Sequence, residues 1–191
     1  MQTKTIRRYG LTKEQRDCWR TPKWMFNWLN SMYDFDVDLA ADEENSFCKD
    51  FLSTEQDSLS VEWSKYWDVG FLNPPYSAPT PWIKQIIKEQ NHGFTTVLVM
   101  PTLNGDIYNS PILRRASSIT FIIGRIAFLA PADYWVKGKP GKSDRLVKAG
   151  TPVSGGARGT AIYEFAPIPL SREGRATLLS VNRNELIKAY S

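Results

Sequence analysis

Asn73-Pro74-Pro75-Tyr76 is the stretch whose residue types and spacing most plainly suit a reaction. An amine attached to a planar ring or carbonyl is a poor nucleophile because its lone pair is delocalised. It reacts better when acceptors hold the nitrogen while an electrophile approaches. Asn73 offers a side-chain carbonyl for that task, and the Pro74 backbone carbonyl offers a second acceptor. Tyr76 adds an aromatic face on which a planar base can stack, a contact worth roughly 1–3 kcal/mol. No general base with an unusual pKa is needed before transfer. The competing reading is a proline-rich strand exit with a packing tyrosine. A strand before the tetrapeptide and a helix after it favour chemistry over packing.

The neighbouring elements supply that setting. Val69 to Leu72 is a short apolar strand that must stop at Pro74-Pro75, which lack the backbone donors a ladder requires. Thr80-Pro81 then reads as a helix cap followed by a proline. Trp82, Ile83, Ile86 and Ile87 recur at helical spacing until near Gly93. The loop therefore lies beyond the carboxyl end of a strand, where open α/β sheets bind their ligands. Earlier in the chain, Thr21-Pro22 opens a helix to Tyr33 with Met25, Trp28, Leu29 and Met32 on one face, and Phe35 to Ala41 reads as a short strand. Thr96 to Met100 is an uninterrupted apolar strand, Ile107 to Ala116 a helix and Ile119 to Ile123 a further strand. Arg125 to Leu129 continues extended, and Thr160 to Phe165 returns antiparallel. The tail from Arg172 to Tyr190 reads as helical. The expected fold class is α/β: a mostly parallel sheet with an antiparallel hairpin strand.

The chain has 191 residues and a net charge of +4, and its charge is strongly polarised. Nine acidic residues between Asp34 and Asp57 face a single cation, Lys49. Between Asp133 and Arg158 the balance reverses, with Lys137, Lys139, Lys142, Arg145, Lys148 and Arg158 against Asp133 and Asp144. A basic segment that also carries Tyr134 and Trp135 suits contact with phosphates, since neutralising them releases counterions. As a solvated loop it would be equally ordinary in composition. Cys18, Cys48 and a lone His92 make neither a disulfide framework nor a zinc set, so no metal is expected. Cys48 reads as a small buried hydrophobe and His92 as a helix terminus. The opening residues hold no apolar run of signal length, and a soluble, cytoplasmic protein with no membrane association is expected.

Several stretches together resemble the phage and prophage DNA N-6-adenine methyltransferases of the short Dam type. They are Trp19-Arg20-Thr21-Pro22 with its aromatic helix, Phe35 to Asp42 (FDVDLAAD), Asn45, the Asp57-Ser58-Leu59 turn, GFLNPPYS, and Gly124 to Leu129 (GRIAFL). The resemblance implies a Rossmann-like methyltransferase fold, S-adenosylmethionine as donor, double-stranded DNA as substrate, and a phage- or prophage-encoded protein acting in a bacterial cytoplasm. It also implies site residues. Asp38 would lie near the donor's methionine amino group, with Ala40, Ala41 and Asn45 beside it. Trp19, Thr21 and Pro22 would close over the same donor, Asp57 would stand near its adenine, and Asn73 would meet both donor and target. The glycine-rich turn usual in the first motif of such enzymes is absent, so close backbone approach falls to Ala40 and Ala41.

Too few residues separate Asp38 from Asn73 to hold a target-recognition domain. DNA recognition is therefore expected from residues 133–158. The expected organisation is an N-terminal arm (1–18), a methyltransferase domain (19–170) and a C-terminal helix (171–191), acting as a monomer or weak dimer. Two rivals stay open: a methyltransferase for another planar nitrogen, cytosine N4 or a protein glutamine, and a catalytically silent DNA-binding relative.

Overall fold

Apolar runs broken by proline, glycine or charge become the strands of a central sheet. The computed structural model describes residues 9–102, 111–153, 159–167 and 176–191. Its elements begin with α1 (Lys13–Arg16), α2 (Lys23–Tyr33), β1 (Val37–Asp38), β2 (Asp50–Phe51), β3 (Val69–Leu72), α3 (Pro79–Asn91), β4 (Thr95–Pro101), α4 (Pro111–Arg115) and β5 (Ser118–Ile123). They continue with β6 (Phe128–Leu129), β7 (Tyr134–Val136), β8 (Arg145–Val147), β9 (Pro152–Val153), β10 (Thr160–Phe165), β11 (Thr177–Asn182) and α5 (Arg183–Tyr190). None of the helices among the described residues is long and apolar enough to cross a membrane.

The described residues of Lys23–Ile126 and Gly156–Ser191 form one compact unit, and those of Met1–Pro22 and Ala127–Gly155 form another. The larger unit holds a seven-stranded sheet in the order β11-β5-β10-β4-β3-β1-β2. Every neighbouring pair is parallel except those made by β10, which runs antiparallel between β4 and β5. This is the Rossmann-like methyltransferase architecture expected from the sequence. β4 is buried along almost its whole length, as its β-branched run requires of a central strand. On α2 the buried face comprises Met25, Phe26, Trp28 and Leu29. Phe26 stacks on Phe47 and meets Phe71 edge-on, while Met32, expected on the buried face, is exposed.

Two further expectations change. Thr80 is not the cap of α3: the helix begins at Pro79, with Ala78 at the cap position and no side-chain capping bond. Proline at the first helical position needs no N–H there, so Pro79 starts the helix without a cap. The C-terminal helix is shorter than residues 171–191, because Thr177–Asn182 pairs in register with β5 as the sheet's edge strand. Sheet pairing overrides the leucines' helical propensity there. Asn182 then caps α5 by accepting from the Asn184 N–H. Of the expected helix from Ile107, the described part is α4, and residues 107–110 lie outside the described residues. The end of the run expected to be extended, Phe128–Leu129, is a strand and pairs with β9.

The smaller unit consists of two short antiparallel pairs, β6 with β9 and β7 with β8. Its core is Ala130, Tyr134 and Val147, with Leu11, Trp19 and Val153 packed around them. Arg20 and Leu129 exchange backbone hydrogen bonds at 3.1 and 2.9 Å, which fastens the segment before Thr21 to β6.

Candidate active site

The order of the strands decides where a ligand can enter. From β1 the chain moves to β2 on one side, then crosses to β3 and β4 on the other. The direction of winding thus reverses between β1 and β3, and the carboxyl ends of strands at such a switch point are where open α/β sheets bind their ligands. The two strands are parallel, with Val37 opposite Gly70 and Asp38 opposite Phe71. Asp38 is the last residue of β1, and Asn73 is the first after β3. Register therefore brings the two sequence-predicted polar groups to one end of adjacent strands.

Asp38 is buried, with 4% of its surface exposed. Burial pushes its carboxyl up from 3.8 to about 7, against the opposing pull of the Ala40 and Phe47 backbone N–H groups; Asp42 adds to the rise. Among the described residues no lysine or arginine forms a salt bridge with it. The chain from Leu39 onward folds back on β1 and β2: the Leu39 N–H donates to the Phe71 carbonyl, and the Ala41 N–H to that of Leu52. Ala40 is half-buried and Ala41 buried. Asn45 turns its side-chain oxygen to the Asp42 N–H at 3.2 Å, closing the turn that carries the segment past Asp38. Among the described residues the non-glycine positions with positive φ are Asp34 and Asp57. No residue between Ala40 and Lys49 thus adopts the left-handed conformation that favours glycine, which explains how a glycine-free segment follows β1. Asp57 itself is exposed, in that conformation, and accepts from the Ser60 hydroxyl at 2.5 Å, so its turn-forming part is plain.

In the loop after β3, Pro74 is buried, whereas Asn73, Pro75 and Tyr76 are half-buried. The Tyr76 ring packs against the hydrophobic core, and its hydroxyl donates to Asn73 Oδ1 at 2.6 Å. Burial holds the Tyr76 phenol well above its ordinary value, so it remains a donor. Helix α3, which leaves this loop, is anchored by a group the sequence did not flag. Glu89 is fully buried and accepts from the Ser64 N–H, the Ser64 hydroxyl and the Gln85 amide at 2.8–3.0 Å. Gly70 is a second unflagged residue: a Cβ there would stand 2.7 Å from both Leu39 and Phe94, so only glycine lets β3 lie this close to its neighbours.

Trp19, Thr21 and Pro22 belong to the smaller unit, where Trp19 packs on the unit's core and Thr21 and Pro22 are buried immediately before α2. In the same unit β7 and β8 form a hairpin. At its tip the Lys142 N–H donates to the Lys139 carbonyl across Pro140-Gly141, with Gly141 at φ +81°, the pattern of a type II turn. Lys137, Lys139, Lys142, Arg145 and Lys148 are all exposed on or beside this hairpin. Arg158 lies outside the described residues. Tyr9, which the sequence did not flag, and Asp144, which it gave only as a counter-charge, shape the hairpin. Asp144 accepts from the Gly138 N–H at 3.0 Å and from the Tyr9 hydroxyl at 2.5 Å, and the Gly10 N–H donates to the Trp135 carbonyl. The available signal was an aspartate inside a basic run.

Comparison with known proteins agrees with this geometry. The family described as DNA N-6-adenine-methyltransferase (Dam) matches residues 9–153, a stretch that includes both the Asn73–Tyr76 loop and the basic hairpin. The DNA N-6-adenine-methyltransferase of Escherichia phage T1 is 34% identical over 108 residues, which span 56% of this chain and 45% of that protein. That of Haemophilus phage HP1 is 31% identical over 121 residues, spanning 61% of this chain and 69% of that protein. The putative methyltransferase YfdM of Escherichia coli K12 is 35% identical over 75 residues, or 37% of this chain and 78% of that one. The match thus spans less than half of the phage T1 relative. With the switch-point loop, the sheet order and the family match in agreement, this chain belongs to the DNA N-6-adenine-methyltransferase (Dam) family.

Proposed function

We propose that this chain transfers a methyl group from S-adenosylmethionine to the N6 nitrogen of an adenine in double-stranded DNA. The observation that carries the proposal is the placing of Asn73-Pro74-Pro75-Tyr76 beyond β3, beside Asp38 at the end of β1, where the sheet's winding reverses. The donor, when bound, supplies a sulfonium-activated methyl group. Asp38 suits its methionine ammonium, because a buried carboxylate with no salt-bridge partner among the described residues gains most from an incoming cation. Ala40, Ala41, Asn45 and Asp57 are the residues we assign around it.

The target base must leave the duplex stack to reach such a loop. Tyr76 offers the ring on which it stacks, while Asn73 Oδ1 and the Pro74 carbonyl accept from the two N6 hydrogens. Holding both hydrogens turns the nitrogen lone pair out of the ring and toward the methyl, so orientation does much of the work. Transfer would form the N–C bond as the donor's S–C bond breaks, leaving the donor as a neutral thioether, and the surplus proton on the nitrogen would pass to water. Lys137, Lys139, Lys142, Arg145, Lys148 and Arg158 would hold the duplex by its phosphates. Sequencing that reports modified bases, run on DNA from cells expressing the chain, is expected to show N6-methyladenine at a short recurring motif. Methylation confined to cytosine N4, or no modified base, would reject the assignment.

A further inference from the structure

An amide, unlike a carboxylate, has two different ends. Asn73 can hold a substrate amine only if it presents its carbonyl; turned over, it would set an NH2 donor against another donor. One contact that distinguishes the ends is that with Tyr76. Its hydroxyl oxygen lies 2.6 Å from Asn73 Oδ1, in the range of an O–H···O bond and short for one from an amide nitrogen. The other acceptor near the hydroxyl, the Val99 carbonyl, stands at 3.4 Å, too far to compete well.

We propose that the Tyr76 hydroxyl is a positioning group that fixes the Asn73 amide with its carbonyl end toward the target nitrogen, separately from the stacking done by the Tyr76 ring. A carbonyl oxygen has two lone pairs, so accepting from Tyr76 is compatible with accepting from a base. The hydroxyl sits at the far tip of the ring, so a base stacked on that ring brings its edge toward the same oxygen. Burial keeps the phenol protonated, so the donor persists throughout the neutral and mildly alkaline range. This inference rests on the proposed adenine methylation.

Tyr76→Phe keeps the ring and removes the hydroxyl. In single-turnover assays on duplex DNA it is expected to slow methyl transfer about tenfold or more, the scale of one lost hydrogen bond. Donor affinity, DNA affinity and the fluorescence of 2-aminopurine at the target position should stay within about twofold, showing that binding and base extrusion survive. A transfer rate within about twofold of the unchanged protein overturns the proposal. The second arm asks whether the hydroxyl acts through the amide's orientation. In an Asn73→Asp background either oxygen accepts, so the Tyr76→Phe penalty should fall to less than half its size on a logarithmic scale. An undiminished penalty overturns the orienting role. If Asn73→Asp is too slow to assay, the single Tyr76→Phe result decides. Should the unchanged protein fail to methylate adenine at all, the proposed function fails first, and the two failures are told apart.

Discussion

The switch point at β1 and β3 and the β7–β8 hairpin work by opposite means. At the switch point, strand register sets Asp38 and Asn73 at one end of two parallel strands, and a neighbouring hydroxyl holds the Asn73 amide. Few polar groups converge there, and each has a defined direction. At the hairpin, five exposed cations are spread over a glycine- and proline-containing turn, and what they present is summed charge, as the proposed duplex contact requires. The lesson is that single changes at the switch point should act as near-absolute losses, whereas those at the hairpin should add in small, salt-sensitive steps.

The largest effect is expected at the switch point. Asn73→Ala should lower the transfer rate by about 10²–10³-fold or more, as loss of a preorganised polar contact does, while donor affinity stays within a few-fold in calorimetry. A loss of only a few-fold would place the switch point in the same class as the hairpin and break the contrast. Asp38 gives the next effect, through pH. Its folded pKa of about 7 lies above the unfolded 3.8, so its contribution to the unliganded protein's stability is full below pH 3.8 and is lost as pH rises through about 7. On the proposed assignment donor binding would need the charged form and run the other way: affinity should rise with pH up to about 7 and fall about tenfold per unit below it. Calorimetry across that range measures it, and Asp38→Asn should flatten the profile at the weak end.

How much of this could be read from the chain differs between the same two regions. The loop from Asn73 to Tyr76 was legible because consecutive prolines interrupt strand pairing, and a helix with proline in its first turn follows. Its neighbour Asp38 was legible through resemblance, but its burial depends on Leu39 and the residues folding back over β1. The basic character of the hairpin was equally visible. Its internal construction was not: Tyr9 and Asp144 meet across 135 residues, and nothing local to either announces the other. The strand β11 was missed for a related reason. Two adjacent leucines read as helix until an edge of a sheet is available to pair with. Local pattern fails where a distant backbone supplies the partner.

The smaller effects sharpen the hairpin's side of the contrast. Gly138→Ala would place a Cβ 2.1 Å from the Lys142 carbonyl oxygen, so the tip must open. DNA affinity is expected to fall about tenfold by filter binding or fluorescence anisotropy, because several phosphate contacts shift together, with donor affinity unchanged. Removing one cation is milder. Lys139→Ala or Lys142→Ala should weaken DNA binding about two- to fivefold for any sequence, and each should make the log–log salt dependence shallower by about 0.9. A single lysine that alters sequence preference instead would mark a base contact.

The central claim is that the loop beyond β3 grips a base amine for methylation. Its most direct test is nucleoside mass spectrometry of duplex DNA incubated with the purified protein and isotopically labelled S-adenosylmethionine. Label is expected in N6-methyladenine, present with the unchanged protein and lost with Asn73→Ala. Label in another nucleoside, or an equal yield from the Asn73→Ala protein, would contradict it.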